Sequence, residues 1–130
     1  MPAQPDPLQD VALRFAEALN ERDTDALVAL ATDDVASDPL QISVSGRYVG
    51  HDGIRRWMRE LTTHDPGHRV RIERVAATAP DRAAVFGTLV MDGRPVSPYT
   101  LVVMVRDGKV AATRSYLTDE ETLTTLGLLP

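Results

Sequence analysis

Near residue 65 of this chain the spacing of apolar residues changes for good from the helical to the strand period, and that change limits the folds open to it. In residues 7–22, apolar side chains such as Phe15 and Leu19 recur at steps of three and four, which puts them on one helical face. In the second half the apolar period is two, as at Val70 and Ile72, which is typical of strands. Helices followed by a run of strands predict an α+β fold with the helices on one face of the sheet.

Local signals set the expected boundaries. Asp23 or Thr24 can cap a second helix, and Asp33-Asp34 close the helical pair. The Asp92-Gly93 and Asp107-Gly108 pairs predict tight turns between strands. The sequence therefore predicts helices over residues 7–22, 24–31 and 51–61, strands over 35–40, 68–78, 83–91, 96–106 and 110–118, a short strand or irregular ribbon over 41–49, and a short helix or turn over 119–126.

Composition excludes several kinds of function. The chain has 130 residues with no cysteine, which excludes disulfides, zinc thiolate sites and cysteine nucleophiles. Its 14 basic and 19 acidic residues give a net charge of −5, so we expect no nucleic-acid partner. No run of about 18 apolar residues exists, so we expect no membrane span. We predict one domain over residues 1–130 with a flexible proline-rich leader at 1–6, and, because that leader does not resemble a secretion signal, a cytoplasmic location.

The strand expected over residues 96–106 bears on assembly. From Tyr99 to Val105 both alternating sets of side chains are apolar. A strand of an antiparallel sheet in water normally keeps one polar face. One set can line a core or pocket, and we predict that a second copy of the protein covers the other, giving a homodimer through the sheet.

Several segments resemble the ketosteroid isomerases. Those enzymes belong to a superfamily of cone-shaped folds that also contains nuclear transport factor 2 and the SnoaL-like polyketide cyclases. The resemblance covers nearly the whole chain, and its motifs are more specific for the fold than for the chemistry. The segments that carry it are residues 15–20, 23–30, 33–34, 37–39, 50–58 and 107–116.

The resemblance implies both an architecture and a site. It implies three helices from the first half of the chain, packed on the concave face of a strongly curved, mainly antiparallel sheet that encloses a pocket. It also implies that Asp38, in the pair Asp38-Pro39, is the general base that moves a proton on a small hydrophobic ketone without a cofactor. In an apolar pocket, desolvation would raise the pKa of Asp38 toward neutrality, as suits such a base.

The sequence departs from the isomerase pattern at the groups that donate hydrogen bonds to the enolate. The positions that match the two donors and a supporting phenol hold Phe15, Thr100 and Met58. Because Tyr99 is predicted on the opposite face from Thr100, only Tyr48 or Tyr116 is left to substitute. We predict that the pocket wall and substrate-binding residues include Phe15, Trp57, Met58, Leu89, Met91, Thr100, Val102 and Tyr116.

Two other functions stay open. An epoxide hydrolase or cyclase of polyketide or polyether biosynthesis would use Asp38 with a second acid from Glu60, Asp65 or Glu73, although each of these is more often a solvated surface acid. A non-catalytic protein of the same fold would bind a hydrophobic ligand or form dimers. The three histidines, His51, His64 and His68, are not spaced as ligands, so we expect no metal.

Overall fold

Three helices precede the main strands, and two begin at an aspartate that caps them. We describe a computed structural model of the protein, which covers residues 6–39 and 47–129. Helix α1 spans Pro7–Glu21, and the Asp6 carboxylate accepts a hydrogen bond from the Leu8 amide at 2.8 Å. Helix α2 spans Thr24–Leu30 and is capped in the same way by Asp23. Such caps satisfy amides that the first helical turn leaves unpaired.

One six-stranded sheet holds the remaining elements together. Strands β1 and β2 come before helix α3, and the short helix α4 follows β6. The strand order is β2-β1-β6-β5-β4-β3, with β1 parallel to β6 and the other neighbours antiparallel. The predicted α+β fold with a curved, mainly antiparallel sheet is confirmed. The bounds are Ala31–Asp38 for β1, Tyr48–Val49 for β2, Gly50–His64 for α3, His68–Ala79 for β3, Arg82–Met91 for β4, Arg94–Arg106 for β5, Lys109–Tyr116 for β6 and Glu120–Thr125 for α4.

Different parts of the protein pack on the two faces of the sheet. We call the face on which α1 and α3 pack the inner face, and the opposite one the outer face. Val85, Leu101 and Val103 lie on the inner face and are fully buried in the main core with residues of all three helices. Their neighbours along the strands, such as Phe86 and Val102, point to the outer face because side chains alternate along a strand.

Part of the outer face is covered by the chain itself. The Thr100 hydroxyl donates a hydrogen bond to the Thr118 carbonyl at 2.9 Å, and Arg74 forms an ion pair with Glu120 at 2.5 Å. Leu123, on α4, is fully buried. The C-terminal segment therefore supplies some of the cover that the sequence analysis attributed to a second copy. The homodimer itself stays a prediction.

Some predicted boundaries differ from the structure. Strand β1 begins at Ala31, so Asp33 and Asp34 lie within a strand and do not close the helical pair. Helix α3 continues to His64, three residues beyond its predicted end. Of the segment predicted over 41–49, only Arg47 and the two residues of β2 are described; residues 40–46, and residues 1–5 of the predicted leader, lie outside the described residues. No helix in the described part of the chain is long and apolar enough to cross a membrane.

Candidate functional site

A cavity of about 290 Å³ lies between α1, α3 and the inner face of the sheet. The volume is close to the lower end of the range for ligand sites, about 300–1,000 Å³, so it suits a compact ligand. Its wall is mainly apolar, with contributions from Ala16, Leu19, Trp57, Leu61, Leu89 and Leu101. The two helices and the four antiparallel strands β3 to β6 thus enclose one largely hydrophobic space.

Helix α3 supplies one complete side of the cavity. Trp57, Leu61 and His64 recur at steps of four and three and line the cavity together with Glu60. This spacing places them on one helical face. Trp57 is buried whereas His64 is exposed, so the cavity runs from the core toward the surface along the C-terminal half of the helix.

A phenol and a carboxylate form the first polar pair in the cavity wall. The Tyr48 hydroxyl donates a hydrogen bond to Glu60 Oε2. The Tyr48 ring stacks on Trp57, with the ring centroids 5.8 Å apart and the planes at 15°, and the Arg56 guanidinium lies 4.8 Å from the Tyr48 ring centroid. Stacking and cation–π contact of this kind restrict the ring, so the phenol is held in one orientation toward the carboxylate.

Two hydroxyls form the second polar pair. Tyr99 on β5 and Ser115 on β6 both line the cavity, and their side-chain oxygens are 3.0 Å apart. Burial of Tyr99 raises the pKa of its phenol to about 12, and the hydrogen bond with Ser115 opposes that rise. The phenol is therefore neutral at physiological pH and keeps a proton to donate.

Asp38 lies on the other side of the sheet. Its residue pair in the parallel register is Arg114, whereas its chain neighbour Ser37 pairs with Thr113 on the inner face. The Asp38 carboxylate accepts hydrogen bonds from Arg47 at 2.8 and 3.2 Å and from Arg114 at 3.3 Å. It is not among the described residues that line the cavity, although Pro39 is.

The expected rise in the pKa of Asp38 is wrong. The pKa of the Asp38 carboxyl is lowered, and the hydrogen bond from Arg47 is the largest cause. Arg114 lowers this pKa further, whereas desolvation raises it. Positive charge and donated hydrogen bonds favour the ionised form of a carboxyl group. The catalytic role of Asp38 stays a prediction, but its surroundings weaken it as a base near neutral pH.

The other predicted site residues divide into three groups. Trp57 and Leu89 lie in the cavity wall. Phe15 and Met58 are buried in the core and are not among the described lining residues. On the outer face lie Thr100, Val102 and Tyr116, and Met91 is 41% exposed at the end of β4 and is also absent from the described lining.

The assignment of strand faces explains this division. Thr100 and Val102 are predicted to point toward the pocket, whereas Tyr99 and Leu101 do so. A shift by one residue moves every side chain of a strand to the other face. Because both sets in β5 are apolar, polarity alone could not distinguish the faces. Tyr99 and Ser115 were missed for this reason, and no motif marks Ser115.

The other polar candidates also have definite positions. Glu60 and Asp65 line the cavity, whereas Glu73 accepts a hydrogen bond from the Thr88 hydroxyl at 2.6 Å and is not in the described lining. His64 and His68 line the cavity, and His51 contacts the Ala31 carbonyl at 3.2 Å instead. Within residues 6–39 and 47–129, no three histidine, aspartate or glutamate side chains are grouped so that they could hold a metal ion.

Comparison with known structures supports the fold. A candidate ketosteroid isomerase from Kribbella flavida is 23% identical to this chain, with 87% of this chain and 78% of that one covered and a TM-score of 0.68. A candidate polyketide cyclase from Sinorhizobium meliloti is 21% identical, with 82% and 93% covered and a TM-score of 0.67. TerC, co-crystallised with polyporic acid, is 22% identical, with 93% and 98% covered and a TM-score of 0.72. At these identities the likeness shows the fold alone.

Sequence comparison identifies the family. No curated protein matches the chain. A family model described as a SnoaL-like domain matches residues 12–113, which include most of α1, all elements from α2 to β5 and most of β6. The resemblance predicted from the sequence is thereby confirmed. Because this match spans most of the sequence, the chain belongs to the SnoaL-like domain family.

Proposed function

We propose that the protein is a cofactor-independent enzyme that forms an enolate from a small hydrophobic ketone, with Glu60 as the group that accepts and returns the proton. The observation that carries this proposal is the carboxylate of Glu60 in the wall of a mainly apolar cavity, bonded to the buried phenol of Tyr48. General acid–base catalysis of this kind requires a positioned carboxylate within reach of the substrate proton and contributes about 10²–10⁴-fold.

The four polar side chains of the two pairs take distinct roles. Glu60 removes a proton from the carbon next to the carbonyl, and Tyr48 fixes the carboxylate. Tyr99 is neutral, buried and bonded to Ser115, so its hydroxyl can donate to the oxygen on which negative charge develops. A preorganised donor of this kind is worth about 3–4 kcal/mol in the transition state. These hydroxyls would replace the donors missing at Phe15 and Thr100.

The same enolate can react in two ways, giving either an isomerised or a cyclised product. In an isomerase, the proton returns at another carbon and the double bond moves. In a cyclase, the enolate carbon attacks a second carbonyl of the same molecule, and the new oxyanion takes up a proton. The likeness to a candidate ketosteroid isomerase and a candidate polyketide cyclase supports either outcome, and both need the proton removal that we assign to Glu60.

The epoxide-opening alternative has less support. It requires a second acid near Asp38, but the described hydrogen-bond partners of Asp38 are Arg47 and Arg114. Glu60 and Asp65 line the cavity, from whose described lining Asp38 is absent. We therefore propose ketone chemistry over epoxide chemistry for this cavity.

Turnover of a simple ketone tests the proposal. A compact bicyclic β,γ-unsaturated ketone should be converted to the conjugated enone, which is measured by its growing ultraviolet absorbance. We expect the wild-type protein to accelerate this reaction and Glu60→Gln to lose about a hundredfold or more of the rate. Binding of the ketone without any conversion would contradict the proposal and favour the non-catalytic alternative.

A further inference from the structure

The surface end of the cavity carries positive charge. Arg22, His68 and Arg69 all line it there, and we call these three residues the cationic rim. Arg22 ends helix α1 in the left-handed conformation, with φ 56°, and its side chain reaches the start of β3. His68 and Arg69 are the first residues of β3. The rim is thus built where the end of one helix meets the start of one strand.

Arg22 is fixed in place by carbonyl groups. Its Nη1 donates to the Leu19 carbonyl at 2.7 Å, and its Nη2 donates to the carbonyls of His68 at 2.6 Å and Asp65 at 3.3 Å. Among the described residues, no carboxylate lies within 4.0 Å of its nitrogens. Neutral acceptors hold the guanidinium in place, and the charge of Asp65 offsets that of Arg22 only from beyond ion-pair distance.

Two nitrogens in the rim lack a partner among the described residues. Arg22 Nε and His68 Nε2 are both buried and make no hydrogen bond. The nearest carboxylate oxygen to His68 Nε2 is Asp65 Oδ1 at 3.8 Å, which is too long for a hydrogen bond. Buried polar groups are normally hydrogen-bonded, so these two nitrogens leave the rim with unsatisfied donor capacity.

Charge in the rim favours an anion. Arg22 and Arg69 carry two positive charges against the single carboxylate of Asp65, in a chain whose net charge is −5. Burial is the first cause of the lowered pKa of Arg22, and the positive charge of Arg69 is the second. Glu60 lies five residues before Asp65 on α3, about 7 Å away along the helix axis, so its carboxylate is separate from the rim.

We propose that the cationic rim binds a carboxylate of the ligand, so that the substrate is an amphiphile with a hydrophobic body in the cavity and an ionised acid at its surface end. This inference extends the proposed function by naming the substrate class of the same cavity. Arg22 and Arg69 attract the carboxylate through their positive charges. The ketone would then lie deeper, between Glu60 and Tyr99.

A matched pair of ligands tests the rim without any need for turnover. Naphthoic acid, ionised at neutral pH, and naphthamide have the same apolar body and differ in charge. Trp57 is the only tryptophan and lies in the cavity wall, so quenching of its fluorescence measures binding. We expect naphthoate to bind about tenfold more tightly than naphthamide at low salt, because hydrogen bonds to charged groups are worth about 1.5–3 kcal/mol.

Substitutions test whether the preference for naphthoate over naphthamide arises at the cationic rim. Arg22→Gln and Arg69→Gln should each reduce the ratio of naphthoate affinity to naphthamide affinity. Arg22→Lys, which keeps the charge, should retain part of the preference. If Arg22→Gln does not fold, Arg69→Gln still tests the rim. Arg55→Gln is the matched control, because Arg55 is exposed on α3 and paired with Asp52.

The result separates this inference from the proposed function. Naphthoate that binds no more tightly than naphthamide, or does not bind, overturns the rim proposal whatever the enzyme does. Suppose that the wild-type protein converts no ketone, but that it and Glu60→Gln prefer naphthoate over naphthamide to the same extent. That result supports the rim proposal and removes only the proposed catalysis.

Discussion

The Tyr48 hydroxyl donates a hydrogen bond to Glu60 across the junction of strand β2 and helix α3. Strand β2 has two residues and leads directly into α3, so the phenol lies beside the middle of the helix that follows it. Stacking on Trp57 fixes the ring from one side. A short strand with little sheet pairing of its own thus serves to position one side chain at the cavity.

Removal of the Tyr48 hydroxyl should weaken catalysis more than folding. We expect Tyr48→Phe to lower the turnover of a β,γ-unsaturated ketone about tenfold or more, because a hydrogen bond to a charged group worth about 2 kcal/mol is lost. Tyr116→Phe is the control, because Tyr116 lies on the outer face, and its turnover should match the wild type. Equal rates for both variants would show that the Tyr48 bond plays no part.

Gly53 is the residue that lets α3 approach β2. A Cβ at this position would lie 2.9 Å from the Tyr48 carbonyl carbon, which is too close without a backbone shift. Alanine normally favours a helix over glycine by about 1 kcal/mol. We nevertheless expect Gly53→Ala to lower the melting temperature and the turnover together, measured beside Arg59→Ala as an exposed control on the same helix. A raised melting temperature with full activity would contradict the close approach.

Tyr99 should make the protein sensitive to alkaline pH. Burial raises the pKa of its phenol to about 12 from 10.0, so the folded state holds the proton more tightly than the unfolded chain. The resulting stability is complete below about pH 10 and is lost as the pH rises toward 12. A shift of two pK units corresponds to about 3 kcal/mol.

Urea denaturation at increasing pH measures this effect. The fall in the free energy of unfolding between about pH 10 and pH 12 should be smaller in Tyr99→Phe than in the wild type. Identical curves for the wild type and Tyr99→Phe would mean that the Tyr99 phenol is not buried in solution.

Two buried threonines on β5 and β6 should respond oppositely to the same change. The Thr100 hydroxyl donates to the Thr118 carbonyl, whereas the Thr113 hydroxyl has no hydrogen-bond partner among the described residues. We expect Thr113→Val to raise the free energy of unfolding and Thr100→Val to lower it, each by about 1 kcal/mol. Denaturant titration of both variants checks this, and a loss of stability in Thr113→Val would reveal a partner for its hydroxyl.

The fold was predictable because its elements have strong local signals. The period of three and four in α1, the period of two in β3 and the Asp-Gly turns after β4 and β5 each specify a local structure that agrees with the whole. The start of β1 was predicted too late, because Ala31 continues the apolar spacing of α2 and nothing local ends that helix. Sheet pairing decides this boundary, and pairing is not visible in the sequence.

The site was less predictable because it depends on which face of each strand points inward. Asp38, Thr100, Val102 and Tyr116 were grouped together, and they do share a face, but that face is the outer one. Trp57 was placed correctly at the cavity because the period of a helix identifies its buried side directly. Glu60, four residues before His64 on the same helix, was considered only as a second acid, since one carboxylate on α3 has no distinguishing motif.

Hydrogen exchange in a bound ketone tests the central claim most directly, since it detects proton removal whatever product forms. The protein is incubated in heavy water with a cyclic ketone, and deuterium beside the carbonyl is measured by mass spectrometry for the wild type, Glu60→Gln and Asp38→Asn. Both variants replace one carboxylate by its amide. The account predicts that Glu60→Gln loses exchange and Asp38→Asn keeps it; exchange that survives in Glu60→Gln and disappears in Asp38→Asn would contradict it.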